Sequence, residues 1–309
     1  MSIYNFDSLP LENDLTHIIN GIIMPLRKSL DGLGIYYKYS YRVKNKNSIE
    51  SKLTKKTREK GENYKIQDFI GCKFILYFKD DIEVLEKILK RMYKVIDISK
   101  NENENLEVFK PERLNFVCEI PNENLNDIDD SLFKNFPIDK TFEIQLRTVF
   151  SEGWLEIEHD IRYKEFDNKN SSWNKYLDLT RVLIGLNATL QNCDWTMVSL
   201  MERMAYKNYK YHEWDYMIKN KFHLRITDNS ISKEISEKFD ETDNNIAKTV
   251  YRASRSKILK NYPTNLPITI DNIIYITLLI EKIEDVISIP DNLKKIYKDF
   301  NNQINNSTA

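Results

Sequence analysis

Phe142-Glu143-Ile144-Gln145-Leu146-Arg147-Thr148 alternates apolar and polar side chains without a break. A β-strand sends successive side chains to opposite faces, so Phe142, Ile144 and Leu146 share one face while Glu143, Gln145 and Arg147 share the other. An acid, an amide and a guanidinium in a row are poor core material. They suit a solvated sheet face equally with a polar cleft, where a carboxylate binds a cation or takes a proton and an arginine holds phosphate. Ordinary half-exposed strands alternate in the same way, so this stretch fixes a strand and leaves its use open.

The flanking sequence supplies the remaining layers. Residues 69–78, FIGCKFILYF, form a continuous apolar run that suits a buried central strand. Residues 35–43 are rich in β-formers, and 94–98 and 113–120 read as further strands. Leu15, Ile18, Ile19, Ile22, Ile23 and Leu26 recur at helical spacing over 11–33, with Gly32 and Gly34 as stops. Ser48 is read as the start of a short basic helix ending at Gly61, and a helix is expected from Asp81 to Tyr93. The segment 121–140 is Asn/Asp-rich and reads as a loop, and Phe150 to Lys164 reads as a helix. Residues 11–165 therefore form an α+β domain with a mixed sheet flanked by helices. Residues 173–309 form a separate α-helical module, with Asp271 and Asp291 as expected helix N-caps.

Composition narrows the classes. The chain has 309 residues, 46 basic against 47 acidic side chains, and is 41% hydrophobic. A generally polybasic binder and wholesale disorder are excluded, while a local basic cleft is not. Three dispersed cysteines, Cys72, Cys118 and Cys193, argue against a disulfide framework or a zinc cluster and fit a reducing cytoplasm. No signal peptide is expected from MSIYNFDSLPLEND, and the longest apolar run, Ile273 to Ile280, is too short to span a bilayer. No Gly-rich phosphate loop is present.

Three further groups could carry chemistry. Arg42 and Lys44 share a strand face, and Ser48 and Lys52 lie one helical turn apart. A helix start among such cations suits a polyphosphate, although a basic surface helix looks the same. Asp68 stands before the apolar strand, where a carboxylate suits magnesium or a simple turn. Trp154, Glu158, His159, Tyr163 and Lys164 fall on one helix, and a lone histidine there is more often structural than catalytic.

Taken in order, R-V-K…S-I-E-S-K-L, D-F-I-G-C-K-F, F-E-I-Q-L-R-T and W-L-E-I-E-H-D-I-R-Y-K resemble the synthetase domain of the RelA/SpoT family over about residues 15–165. The resemblance implies a nucleotidyltransferase-like mixed sheet flanked by helices. It implies transfer of the β,γ-pyrophosphate of ATP to the 3′-hydroxyl of a guanosine nucleotide, making alarmones such as ppGpp and pppGpp. Under it Asp68 and Glu143 are the catalytic residues and the Mg²⁺ ligands, and Glu143 either shares the ion or accepts the hydroxyl proton. Arg42, Lys44, Ser48, Lys52 and Lys73 bind ATP, with Arg42 against the adenine. Gln145, Arg147, His159, Arg113 and Asn115 line the acceptor side.

The sequence departs from the family pattern twice. Lys73 stands where an arginine usually stacks on adenine, and a lysine has no planar fork to stack. The stretch Phe109-Lys110-Pro111-Glu112-Arg113-Leu114-Asn115-Phe116 lacks the tyrosine and histidine expected of the acceptor segment. The His-Asp and acidic pairs of the family's hydrolase are also missing, since His159-Asp160 lies inside the synthetase motif, so synthesis without hydrolysis is expected. Two alternatives stay open. One is the same chemistry on a tRNA 3′ end, suggested by the Lys/aromatic stretch Tyr206–Trp214. The other is a decayed nucleotide-binding or regulatory module. Homo-oligomerisation is compatible with either, and no membrane partner is expected.

Overall fold

The alternation at 142–148 belongs to β5 (Thr141–Thr148), the middle strand of a five-stranded mixed sheet. The computed structural model describes residues 9–10, 12–60, 64–100, 113–163, 175–228, 230–241, 245–283 and 286–307. Contacts divide the chain into two units, residues 1–27, 37–77 and 92–191, and residues 28–36, 78–91 and 192–309.

In the first unit β1 (Tyr37–Val43) pairs antiparallel with β2 (Ile70–Leu76), and β2 pairs parallel with β5. On the other side of β5 lies β4 (Leu114–Glu119), then β3 (Val95–Lys100), both antiparallel, giving the order β1-β2-β5-β4-β3. One face is apolar across the three central strands: Ile70, Cys72, Phe74 and Leu76, then Phe142, Ile144 and Leu146, then Leu114, Phe116 and Cys118, all buried. Burial pushes the Cys72 and Cys118 thiols up to about 12, so neither is a reactive thiolate. Helix α1 (Glu12–Gly32) buries the stripe Leu15, Ile18, Ile19, Ile22, Ile23 and Leu26. Tyr93 ties that helix to the sheet. Its hydroxyl donates to the Ile22 carbonyl at 2.7 Å, and its ring meets Phe142 edge-on at 5.3 Å.

Helix α2 (Lys46–Lys60) follows β1, and its start differs from the expectation at Ser48. The Asn45 side chain accepts the Ser48 N–H at 2.9 Å, so asparagine caps the helix three residues before serine. Gly61, the expected stop, Lys164, and the Phe109–Glu112 part of the altered acceptor segment lie outside the described residues. The 121–140 segment contains two short helices, α4 (Asn122–Leu125) and α5 (Ser131–Asn135), which local aspartate and proline turn chemistry nucleates.

The second unit is helical: most of α3 (Asp81–Met92), the later part of α7 (Leu177–Lys210), and α8 (Trp214–Phe222) through α13 (Asp291–Ser307). Between them run α9 (Lys233–Asp240), α10 (Ile246–Arg252), α11 (Arg255–Lys260) and α12 (Ile270–Glu281). Asp271 lies in the first turn of α12, and the cap is Thr269, which accepts the Asn272 N–H at 3.1 Å. Asp291 is the first residue of α13. Within the aromatic stretch, Trp214 is buried against Phe239 and donates to Asp240, and Tyr209 stacks on Tyr251 at 5.1 Å. Tyr211 alone of that stretch's tyrosines is as much as 77% exposed. Packing therefore accounts for Trp214 and Tyr209, while Tyr206 and Tyr211 stay exposed. Among the described residues no helix is long and apolar enough to cross a membrane.

A buried charge cluster holds this unit together. Arg255 donates to the Phe222 carbonyl at 2.7 Å, to Asp80 at 3.0 Å and to Asp81 at 2.6 Å. His223 adds a contact to Asp80 at 3.2 Å. Burial pushes the Asp81 carboxyl up against the pull of Arg255. Removing the arginine leaves the fully buried Asp81 without its cation and Asp80 with His223 alone, so Arg255→Ala should cost about 3–5 kcal/mol. Urea unfolding monitored by far-UV circular dichroism checks this.

Candidate active site

The site is laid out by the parallel register of β2 and β5. Gly71 stands opposite Glu143 and Lys73 opposite Gln145. Across β1 the same rows continue to Arg42 and Ser40, and across β4 to Val117 and Asn115. Paired residues face the same side, so the polar positions of four strands converge on the face opposite the apolar core. Gly71 leaves the row open: a Cβ there would stand 4.0 Å from Arg42 Cγ.

At the start of β2, Asp68 collects two cations. Its Oδ2 lies 3.1 Å from Lys44 Nζ and 2.7 Å from Lys52 Nζ. Lys44 is placed by its own N–H, which donates to the Phe69 carbonyl at 2.8 Å, and Lys52 comes from α2. Burial pushes the Asp68 carboxyl up, but Lys44 and Lys52 together outweigh it and hold it below the usual carboxylate range. Its Oδ1 is buried and has no hydrogen-bond partner.

Glu143 sits in different surroundings. Its Oε1 accepts from Asn115 Nδ2 at 2.9 Å and its Oε2 from Gln145 Nε2 at 2.6 Å. Arg147 orients the first of these amides, because its Nη2 donates to Asn115 Oδ1 at 2.7 Å and so turns the Asn115 NH₂ toward Glu143. The rest of the Arg147 guanidinium is held by the Leu114 and Leu146 carbonyls. Burial pulls it down to about 10, which still leaves it charged at neutral pH.

The third cluster rests on the junction of β5 with α6 (Val149–Ile157). Thr148 and Ser151 form a reciprocal capping box, each side chain accepting the other's backbone N–H, at 3.0 and 2.8 Å. This turns strand into helix in one step and brings Glu152 and Glu156 onto Lys73. Lys73 Nζ donates to Glu152 Oε1, and to Glu156 Oε1 at 3.0 Å. Burial pulls the Lys73 ammonium down, but the two carboxylates more than reverse this and keep it charged. Burial pushes Glu152 up, while the Lys73 hydrogen bond holds Glu156 below its ordinary value. The α-helix expected to run through 164 instead widens into a π-helical turn at Glu158–Tyr163, a conformation often found at functional sites. Arg113 pairs with Glu158 at 3.1 Å, and His159 Nδ1 lies 3.0 Å from Asp160.

Arg42, Lys73, Arg113, Asn115, Gln145, Arg147 and His159 line one cavity of about 460 Å³, joined by Glu152, Glu156 and Asp160. Lys44, Lys52 and Asp68 form a separate cluster at the strand's start, outside this lining. Ser48 is exposed on α2 with its N–H already taken by Asn45. Sequence reasoning missed Glu152 and Glu156. Their signal was the Thr148-x-x-Ser151 box followed by acids four residues apart, but their lysine comes from another strand. Among the described residues no three metal-ligating side chains gather. Asp68, with its Oδ1 unclaimed, nevertheless fits Mg²⁺, which takes one or two carboxylates and fills its shell with phosphate and water, whereas both Glu143 oxygens are already taken by amides.

Residues 41–168 match the family model described as "Region found in RelA / SpoT proteins". Small alarmone synthetase 1 from Bacillus subtilis is 20% identical, covering 61% of this chain and 94% of its own, with a TM-score of 0.44. Small alarmone synthetase 2 from Bacillus subtilis is 20% identical, covering 61% of this chain and 96% of its own, at 0.45. A GTP pyrophosphokinase family protein from Streptococcus pneumoniae is 21% identical, covering 60% and 84%, at 0.42. No curated protein matches the chain.

The lowered Asp68 carboxyl has a consequence for acid stability. Its ion pairs with Lys44 and Lys52 stabilise the fold fully above the ordinary carboxylate range and are lost as pH falls through the lowered value. Asp68→Asn should therefore lose on the order of 1–2 kcal/mol at neutral pH. The gap from wild type should close as pH falls below the ordinary carboxylate range and through the lowered value, which melting curves across the pH range measure.

Proposed function

From the RelA/SpoT synthetase-like domain of residues 41–168, we propose that the chain is an ATP-dependent pyrophosphotransferase whose acceptor is the 3′-hydroxyl of a guanosine nucleotide. The observation that carries this is the division of labour between the two carboxylates. Asp68 gathers both lysines and keeps a buried oxygen unclaimed, whereas Glu143 is held by two neutral amides. Such an arrangement suits a polyphosphate and its cation at the start of β2, and a proton acceptor one strand away.

In this reading Lys44 and Lys52 neutralise the triphosphate, and Arg42 lies across Gly71 against the adenine. Asp68 would hold Mg²⁺, whose charge would offset that of the phosphates. Glu143 takes the proton of the acceptor 3′-hydroxyl. The oxygen attacks the β-phosphorus, the bond from that phosphorus to the α–β bridging oxygen breaks, and AMP leaves with the electron pair. Asn115 and Gln145 fix the carboxylate, and Arg147 acts through Asn115 as a positioning residue. Such a transfer needs positioning and charge neutralisation more than covalent help. Synthesis without hydrolysis is part of the proposal.

The test is incubation with labelled ATP and Mg²⁺ against GDP, GTP, adenosine nucleotides and deacylated tRNA in parallel, followed by chromatography. Transfer to GDP or GTP is expected, and Glu143→Gln should lower turnover at least about 10²-fold while nucleotide binding is retained. Label on tRNA alone, or on no acceptor, would overturn the assignment.

A further inference from the structure

The proposed ATP site includes a cation that is not available to phosphate. Lys73 lines the cavity, yet its ammonium is held between Glu152 and Glu156. Two carboxylates against one ammonium leave no surplus positive charge. Asp160 lines the same cavity from the π-helical turn. A phosphate brought to this wall would meet acids. The phosphate-binding cations lie instead at Asp68, five residues back along the chain, roughly 16 Å away if fully extended. On the pyrophosphotransfer reading, the donor nucleotide runs with its phosphates at the start of β2 and its base toward Lys73.

Resting on the pyrophosphotransfer reading, we propose that Lys73, Glu152 and Glu156 form the base-reading wall of the donor pocket, with the Glu156 carboxylate accepting a hydrogen bond from the exocyclic amino group of adenine. Glu152 is the anchoring partner: its side chain is only 13% exposed, and it fixes Lys73 from the capped first turn of α6. Glu156 is the reading partner: its side chain is 59% exposed and lines the cavity. The Lys73 hydrogen bond keeps Glu156 ionised at neutral pH, and an ionised carboxylate can only accept. This wall replaces the stacking role that an arginine at position 73 would have. It recognises an amino-bearing purine through its edge, not its face. Arg42, lying over Gly71, remains for the face.

The test is calorimetric titration of the full chain, with Mg²⁺, using three non-hydrolysable triphosphates: that of adenosine, that of the 6-oxo base hypoxanthine, and that of unsubstituted purine. Wild type should bind the adenosine compound at least about tenfold tighter than the unsubstituted one, and should reject the 6-oxo one further. In Glu156→Ala the preference should shrink to within about twofold, with the melting temperature unchanged. Glu156→Gln, whose amide oxygen still accepts, should keep part of it. Equal binding of all three by wild type, or an unaltered preference in Glu156→Ala, overturns the proposal. So does a change confined to the preference for GDP over inosine diphosphate, titrated alongside, because the wall would then read the acceptor. Selective binding without transfer in the acceptor screen would sink the pyrophosphotransfer reading and leave the adenine-reading wall standing. Failure of wild type to bind any of the triphosphates would remove both.

Discussion

The pairing of β2 with β5 is the constraint on which the rest depends. It is the parallel pair of the sheet, so its two strands cannot be joined by a tight turn, and α3, β3, β4 and two short helices lie between them in sequence. Its register sets Gly71 beside Glu143 and Lys73 beside Gln145. A slip of one residue would exchange the faces, sending Glu143 and Gln145 into the layer of Phe74, Phe116 and Phe142. The burial of that apolar layer is what holds the polar row in place.

On the polar face, charge is sorted rather than merely accumulated. Basic groups from β1 and α2 meet Asp68 at one end, while acids from α6 meet Lys73 further along. Glu143 lies between them among amides. The near balance of 46 basic and 47 acidic side chains is thus an average over local clusters of mixed sign. The two ends of the row therefore differ in their charged partners, two lysines on one carboxylate at the first and two carboxylates on one lysine at the second.

Much of the fold is legible in one dimension because the relevant signals are local. The alternation of 142–148, the apolar run at 69–78 and the helical stripe at 15–26 each map onto the element expected, within a residue or two. Cap positions were less legible. Asn45 and Thr269 took the roles expected of Ser48 and Asp271, because several adjacent residues in each stretch can cap and the packed position of the helix chooses among them. The π-helical turn at Glu158–Tyr163 carries no periodicity distinct from an α-helix over six residues. The composition of the aromatic stretch at 206–214 suits either packing or a nucleic-acid surface, and the structure packs Trp214 on Phe239 and Tyr209 on Tyr251, partners that no local window of sequence contains.

By itself the sequence determined which residues carry charge, which faces of strands and helices are apolar, and the ordered motifs that mark residues 41–168, since these follow from side-chain identity and short-range periodicity. Only the tertiary structure decided which charges meet. That Asp68 draws Lys44 and Lys52, that Arg147 is committed to carbonyls and Asn115, and that Lys73 is claimed by Glu152 and Glu156 are properties of strand register and of a capped strand-to-helix junction. The reason is physical. Ion pairs and hydrogen bonds act over a few ångströms, and the distances that decide them are set by the long-range pairing of strands, which no local window of sequence contains.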